Sequence, residues 1–335
     1  MTSQQVMNTL ENIGEAEFKA LIATGCAPVL IKGLVADWPV VEVGQTGPDA
    51  VDRYIRQFYE GAGVGLFRGE PDICGRFFYD DSLTGFNFER SIEKLDKVLD
   101  LISEHAGSSH PPSYYVGSTT VDTCLPGFRA ENELDFGDIS PLASIWIGNQ
   151  SRISAHYDVP DNVACVVTGR RRFTLFPPDQ IENLYVGPID FTPAGQQISL
   201  VDFKQPDYDR FPRFKRALDQ AVVADLTPGD ALFIPGMWWH HVESFDSLNI
   251  LVNYWWSKSP EFSGPPVDVL YHALLSLQSL PPEQKRAWQA IFDYYIFGEQ
   301  PDLEHIPEQG RGVLAQLDEN LARKLRALLL NRLNR

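Results

Sequence analysis

Apolar and polar positions fall into three successive patterns along the chain. Up to about residue 110 the apolar residues recur mainly at helical spacing. The first 25 residues read as a helix, with Phe18, Leu21 and Ile22 on one face. Residues 28–41, PVLIKGLVADWPVV, interrupt this: Val29 to Ile31 suit a buried strand, and Gly33 and Pro39 punctuate the remainder of the run. Residues 49–60 and 88–105 are predicted as two more helices, the second carrying Ile92, Leu95, Val98, Leu99 and Ile102 on one face. From Tyr114 to Trp256 short β-rich runs take over: Tyr114–Val116, Ala143–Ile147, Val163–Val167, Phe173–Phe176, Ala231–Ile234 and Asn249–Trp255. Many short strands separated by turn residues predict a sandwich or barrel, not a parallel α/β sheet. Beyond Pro260 helical spacing returns. Pro265-Pro266 precedes a stripe of Leu270, Leu274 and Leu277. Pro281-Pro282 opens a second helix with Trp288, Phe292 and Tyr295 on one side and Gly298 as its C-cap. A third helix is predicted from about Gly312, with Leu314, Leu317, Leu321, Leu325 and Leu328 in line.

Composition narrows the function classes. The chain has 335 residues, 44% of them hydrophobic and 12% aromatic, which supports a sizeable core and excludes intrinsic disorder. Lys and Arg number 28 against 45 Asp and Glu, a net charge of −17. That balance argues against nucleic-acid and anionic-membrane partners, both of which need a basic face. The charge is uneven: residues 311–335 hold six basic and two acidic residues, or +4, which leaves −21 on the first 310. No run approaches the ~20 apolar residues of a spanning helix. The polar, acidic start MTSQQVMNTLENIGEAEF lacks the basic and apolar regions of a signal peptide. Cys26, Cys74, Cys124 and Cys165 form no CxxC pair, so a zinc ribbon is not expected, and they are predicted to be mostly core residues of a reduced, cytoplasmic protein.

The chemistry concentrates in two runs. In Ser154-Ala155-His156-Tyr157-Asp158, strand alternation puts His156 and Asp158 on one face and Tyr157 on the other. An imidazole and a carboxylate on one strand face form two legs of a metal tripod. A third leg is available 84 or 85 residues later, in Gly236-Met237-Trp238-Trp239-His240-His241. Two histidines and one carboxylate on one face of an octahedron leave three positions free, as in non-haem Fe(II) oxygenases.

With GRRRFTLFPPDQ (169–180), TPGDALFIPGMWWHHVES (227–244) and VNYWW (252–256), these runs resemble the cupin-like Jumonji-C family of 2-oxoglutarate oxygenases. Within it they are closest to the asparaginyl hydroxylases acting on hypoxia-inducible factor. The resemblance runs from about Pro28 to about Trp256. It implies a mainly β fold with flanking helices: a double-stranded β-helix (jelly-roll, cupin) core over residues 111–260, an N-terminal helical or mixed region over 1–110 packing on it, and a C-terminal helical dimerisation module over 261–335. It implies His156, Asp158 and His240 as catalytic iron ligands, with His241 turned to the opposite face. It places Tyr115, Asn162, Arg171 and Asn253 on the co-substrate. Arg171 stands where the family usually has a lysine, and strand alternation separates it from Arg170 and Arg172. Ile153 replaces a family threonine. Gly117 and Gln197-Ile198, ahead of Val201-Asp202-Phe203, do not reproduce the residues with which that branch holds its target amide.

The implied cofactors are Fe(II), 2-oxoglutarate as co-substrate and O2. The implied reaction is hydroxylation of a C–H bond in a protein, peptide or small molecule with release of succinate and CO2. The implied assembly is a homodimer through the C-terminal helices. Two other readings keep part of the pattern: a metal-dependent cupin that does not use 2-oxoglutarate (a dioxygenase, isomerase or lyase), and a non-catalytic binding protein. Demethylation would run the same chemistry on an N-methyl group. Trp238, Trp239, Trp255 and Trp256 are expected to be mostly packing residues.

Overall fold

The computed structural model describes residues 6–299 and 303–334 and divides into two compact units, Met1–Lys258 and Ser259–Arg335. The first contains fourteen strands among its described residues: β1 (Asn8–Glu11), β2 (Val29–Lys32), β3 (Gly63–Gly69), β4 (Arg76–Phe77), β5 (Glu89–Lys94), β6 (Ser113–Thr120), β7 (Leu142–Gly148), β8 (Ser151–His156), β9 (Asp161–Thr168), β10 (Arg171–Phe176), β11 (Val222–Leu226), β12 (Ala231–Ile234), β13 (Trp239–Ser244) and β14 (Asn249–Trp256). They form a nine-stranded sheet, β1-β2-β12-β9-β14-β7-β6-β3-β5, and a five-stranded sheet, β11-β10-β13-β8-β4. Nearly all pairings are antiparallel, as a jelly roll requires.

Three apolar layers result from strand alternation. Successive residues of β14 divide cleanly: Ile250, Val252, Tyr254 and Trp256 join one core, while Leu251, Asn253 and Trp255 turn to the other face. The first core fills the outer face of the large sheet. Against it pack helices α1 (Glu15–Thr24), α2 (Pro39–Gly44), α3 (Pro48–Phe58) and α4 (Leu95–Glu104), through Phe18, Ile22, Val41, Ile55, Val98 and Ile102. The second lies between the sheets, with Ala164, Val166, Phe173, Leu175, Leu232, Val242 and Leu251. The third backs the small sheet, where Phe176 and Trp239 meet Phe214 and Ala217 of a short helix, Phe214–Asp219.

Several local expectations change. The first 25 residues are not one helix: β1 precedes α1 and pairs in parallel with β2. Residues 88–105 are a strand and then a helix, so Ile92 lies on β5, largely exposed, while Leu95, Val98, Leu99 and Ile102 do line a helix face. Helical periodicity across a strand–helix junction cannot reveal that β5 pairs with β3, because that pairing is long-range. Residues before 110 thus supply strands to both sheets. Of the cysteines, Cys124 and Cys165 are buried and Cys26 and Cys74 are exposed, so half rather than most belong to the core.

In the second unit, Val267–Leu277 and Pro282–Phe292 are helices, as their prolines predict, and a π-helical turn, Asp293–Phe297, succeeds them. The last helix begins later than the leucine stripe suggests, at Glu319–Leu333, because Asp318 caps it by accepting from the Leu321 N–H. Leu314 and Leu317 therefore fall before it. Among the described residues no helix is long and apolar enough to cross a membrane.

Candidate active site

His156 ends β8 and His240 is the second residue of β13, and the two strands pair with these residues opposite each other. The register then shifts: Val242 faces Ile153, so three steps on β8 match two on β13. This bulge at Ser154-Ala155 turns both Ile153 and His156 to the inner face, which strict alternation would forbid. It is the local device that points the imidazole into the barrel. Tyr157 turns away and packs edge-on against Trp239, 4.9 Å between ring centroids, as alternation predicts.

Ligand atoms of His156, Asp158 and His240 lie within 4.8 Å of one another. The His156 and His240 rings are 4.3 Å apart at their centroids, and His240 Nε2 is 3.7 Å from Asp158 Oδ2. Each histidine Nδ1–H donates to the carbonyl two residues before it: Ser154 for His156 at 2.9 Å, Trp238 for His240 at 3.0 Å. Those bonds assign the proton to Nδ1 and leave each Nε2 lone pair facing the shared point, the usual arrangement behind a metal-ligating imidazole. Burial, with the neighbouring His156, lowers the His240 pKa to about 4 against the opposing pull of Asp158, so the imidazole is held neutral. Two imidazole nitrogens and one carboxylate oxygen suit a divalent first-row metal and leave coordination positions free.

The turn before β13 braces the backbone at Asp158. Met237 N–H donates to the Asp158 carbonyl at 2.7 Å, and Gly236 N–H donates to Asp161 Oδ1 at 2.8 Å. Gly236 packs so closely that a Cβ there would run into the Val159 carbonyl oxygen. Asp161 is held from its other side by Lys258 at 2.7 Å.

These three side chains open into a cavity of about 430 Å³. Tyr115, Asn162, Arg171 and Asn253 all line it, so strands of both sheets bring every residue expected of the co-substrate site to one pocket. The two asparagines are oriented by a relay: Trp146 Nε1–H donates to Asn253 Oδ1 at 2.7 Å, and Asn253 Nδ2–H donates to Asn162 Oδ1 at 3.2 Å. Arg171 is only 6% exposed, and its Nε has no hydrogen-bond partner. Burial lowers its pKa to about 10, with Tyr115 opposing, and burial raises the Tyr115 hydroxyl well above its ordinary value, with Arg171 opposing. Arg170 and Arg172 point outward, paired with Asp246 and Asp225 at 2.8 and 2.7 Å. His241 lies on the opposite face, buried against the Phe203 ring at 4.4 Å.

Some positions resolve only here. Gly117, Ile153 and Ile198 line the pocket, whereas Gln197 is turned aside, accepting from Tyr157 Oη at 3.0 Å. Asp202 is tied to Arg152 at 2.9 Å. Trp239 and Trp256 are core residues, while Trp255 lines the cavity. Sequence reasoning missed Trp146, Phe67, Phe77 and Arg90 on the pocket wall, together with the loop residues 192–195. The only local signal was the alternation of aromatic residues in Phe86-Asn87-Phe88-Glu89-Arg90, a strand pattern that the helical reading of 88–105 obscured.

A jelly roll whose facing strands bring two histidines and a carboxylate into one cavity has the architecture of a cupin. The chain belongs to the cupin-like domain family, which it matches over residues 15–262. Among characterised proteins it is similar to lysine-specific demethylase JMJ31 of Arabidopsis thaliana (39% identity over 37% of this chain), HSPB1-associated protein 1 of Homo sapiens (32% over 44%) and tRNA wybutosine-synthesizing protein 5 of Mus musculus (32% over 49%). The chain covers 23%, 30% and 52% of those relatives' own lengths.

Proposed function

We propose that the protein is an Fe(II)- and 2-oxoglutarate-dependent oxygenase that hydroxylates a C–H bond. The observation that carries the reading is Arg171. A guanidinium this deeply buried, with no carboxylate of the described residues paired to it, is costly unless a ligand supplies the anion. It faces the same cavity as the metal tripod, and a dicarboxylate chelating the metal at one end would bring its far carboxylate toward the Arg171 side. A cupin that does not use 2-oxoglutarate would have no need of that cation.

His156, Asp158 and His240 would hold the metal, the two Nε2 atoms kept deprotonated by their Nδ1–H bonds to backbone carbonyls. Bound Fe(II) with 2-oxoglutarate and O2 supplies the oxidising step, leaving succinate, CO2 and a hydroxylated product. Arg171 and Tyr115 orient the far carboxylate by charge and hydroxyl donation. The Trp146–Asn253–Asn162 relay fixes the side-chain amides so that the Asn162 Nδ2 end is presented without rotation. Leu251, Phe173, Val242 and Ile153 make the floor apolar and exclude water from the reacting centre.

The prime substrate is a protein, peptide or small molecule. The net charge of −17 supports this over a polyanion. The asparaginyl-hydroxylase reading is not favoured, because Gly117 offers no side chain and Gln197 is engaged by Tyr157. Succinate release from 2-oxoglutarate with Fe(II), abolished in His156→Ala, tests the proposal. Turnover that survives the substitution would refute it.

We also propose homodimerisation through the Ser259–Arg335 unit. Among its described residues only Ala322 is a buried hydrophobe, while Leu275, Ile296, Phe297 and Leu330 are each more than 60% exposed. Helices with so little core of their own are stabilised by pairing with a second copy.

A further inference from the structure

Arg90 is the charged residue of the pocket wall that neither the metal tripod nor the co-substrate end uses. It stands on β5, and its guanidinium lies over three rings: Phe86 at 4.4 Å, Phe67 at 4.8 Å and Phe88 at 5.4 Å. Those rings are themselves fixed. Phe67 stacks on Phe88 at 4.9 Å, Phe86 on Phe88 at 5.1 Å, and Phe191 on Phe86 at 4.6 Å. One Arg90 N–H donates to the Pro193 carbonyl at 3.2 Å, and Pro193 belongs to the loop that lines the same cavity.

Arg90 is exposed at the pocket wall, and among the described residues no carboxylate pairs with it; the rings under it lower its pKa by partial desolvation. On and beside the small sheet Arg152, Arg170 and Arg172 do have acidic partners, whereas the two arginines that line the cavity, Arg90 and Arg171, have none among the described residues. A guanidinium stacked on fixed rings has already lost most of its rotamer freedom and keeps its N–H edge for a planar anion. The reading of the site as a 2-oxoglutarate centre, on which this inference rests, assigns both co-substrate carboxylates elsewhere, one to the metal and one to Arg171. An anion seated on Arg90 would then come from the other substrate. Arg90 also covers the ring faces that would otherwise attract a methylammonium, and its charge repels one.

We infer that Arg90 is the receptor for an anionic group, a carboxylate or a phosphate, on the prime substrate. The test titrates benzoate, phenyl phosphate and benzamide, three probes sharing one ring, into the full chain loaded with Mn(II) and 2-oxoglutarate, which keeps Arg171 occupied. At least one anion should bind about tenfold more tightly than neutral benzamide, as a single charge-assisted contact allows, and the stronger of the two identifies the anion class. Arg90→Met keeps an apolar stem on the rings and should bring all three probes within about twofold of one another, while Arg90→Lys should retain part of the preference. Equal binding of the three probes to the wild type, or a preference undiminished in a folded Arg90→Met, would overturn the inference. The 2-oxoglutarate isotherm in the same samples separates the two readings. Its absence defeats the co-substrate assignment, while the loss of the anion preference on going from wild type to Arg90→Met still reads Arg90.

Discussion

Replacing Arg171 by methionine should do two opposite things. The residue is 6% exposed, its Nε is unpaired, and burial lowers its pKa from 12.5 to about 10. That lowering corresponds to a penalty on the charged form of roughly 3 kcal/mol in the ligand-free protein. Because the folded-state value lies below the unfolded one, the burden is present at every pH below about 10 and is relieved only as pH rises toward 12.5. Methionine fills similar space without the charge, so Arg171→Met without ligand should be as stable as the wild type or more stable, by up to about 3 kcal/mol. Ligand binding should move the other way. Removing one partner of a buried ion pair is worth about 2–5 kcal/mol, or roughly 30- to 5000-fold in affinity. The assays are urea denaturation of the metal-loaded protein without 2-oxoglutarate and isothermal titration of 2-oxoglutarate into the Mn(II)-loaded protein. A variant that binds 2-oxoglutarate within twofold of wild type, or one destabilised by several kcal/mol without ligand, would show that Arg171 serves the fold and not a carboxylate.

The geometry sets further outcomes. Asp158→Ala or His240→Ala should reduce bound iron from one equivalent to near zero by elemental analysis, while His241→Phe, on the opposite strand face, should keep it. Gly236→Ala forces a Cβ into the Val159 carbonyl and should cost about 2–4 kcal/mol in urea denaturation while weakening metal binding through displacement of Asp158. Burial pushes the Asp230 carboxyl up, but Lys32 at 2.8 Å and the Thr227 and Gly33 donors outweigh it, so its pKa sits below 3.8. Its stabilisation is therefore full above about pH 4 and lost as pH falls through the lowered value, and Asp230→Asn should flatten the acid limb of the stability curve. Sedimentation should give a dimer mass at micromolar concentration, and Leu330→Glu should shift it toward the monomer.

Local signals in the chain were enough for the elements whose chemistry is local. Alternation separated Arg171 from Arg170 and Arg172, and His240 from His241, because a strand offers only two faces. Pro282 and Gly298 bracketed a helix for equally local reasons. The run His156-Tyr157-Asp158 put an imidazole and a carboxylate two residues apart, and both line the same cavity although β8 ends at His156.

Features that depended on distant pairing were not legible. The parallel β1–β2 pair and the β3–β5 pair are held by partners about 20 and 25 residues away, and no periodicity within β1 or β5 records them. The bulge that turns His156 inward exists only in the register of β8 against β13. The sequence by itself thus determined which side chains are candidates for holding a metal and a carboxylate. Tertiary structure decided that Arg171 is buried with no acidic partner among the described residues and that Arg90 is stacked on three phenylalanines, because burial and pairing are set by everything else that packs around a side chain.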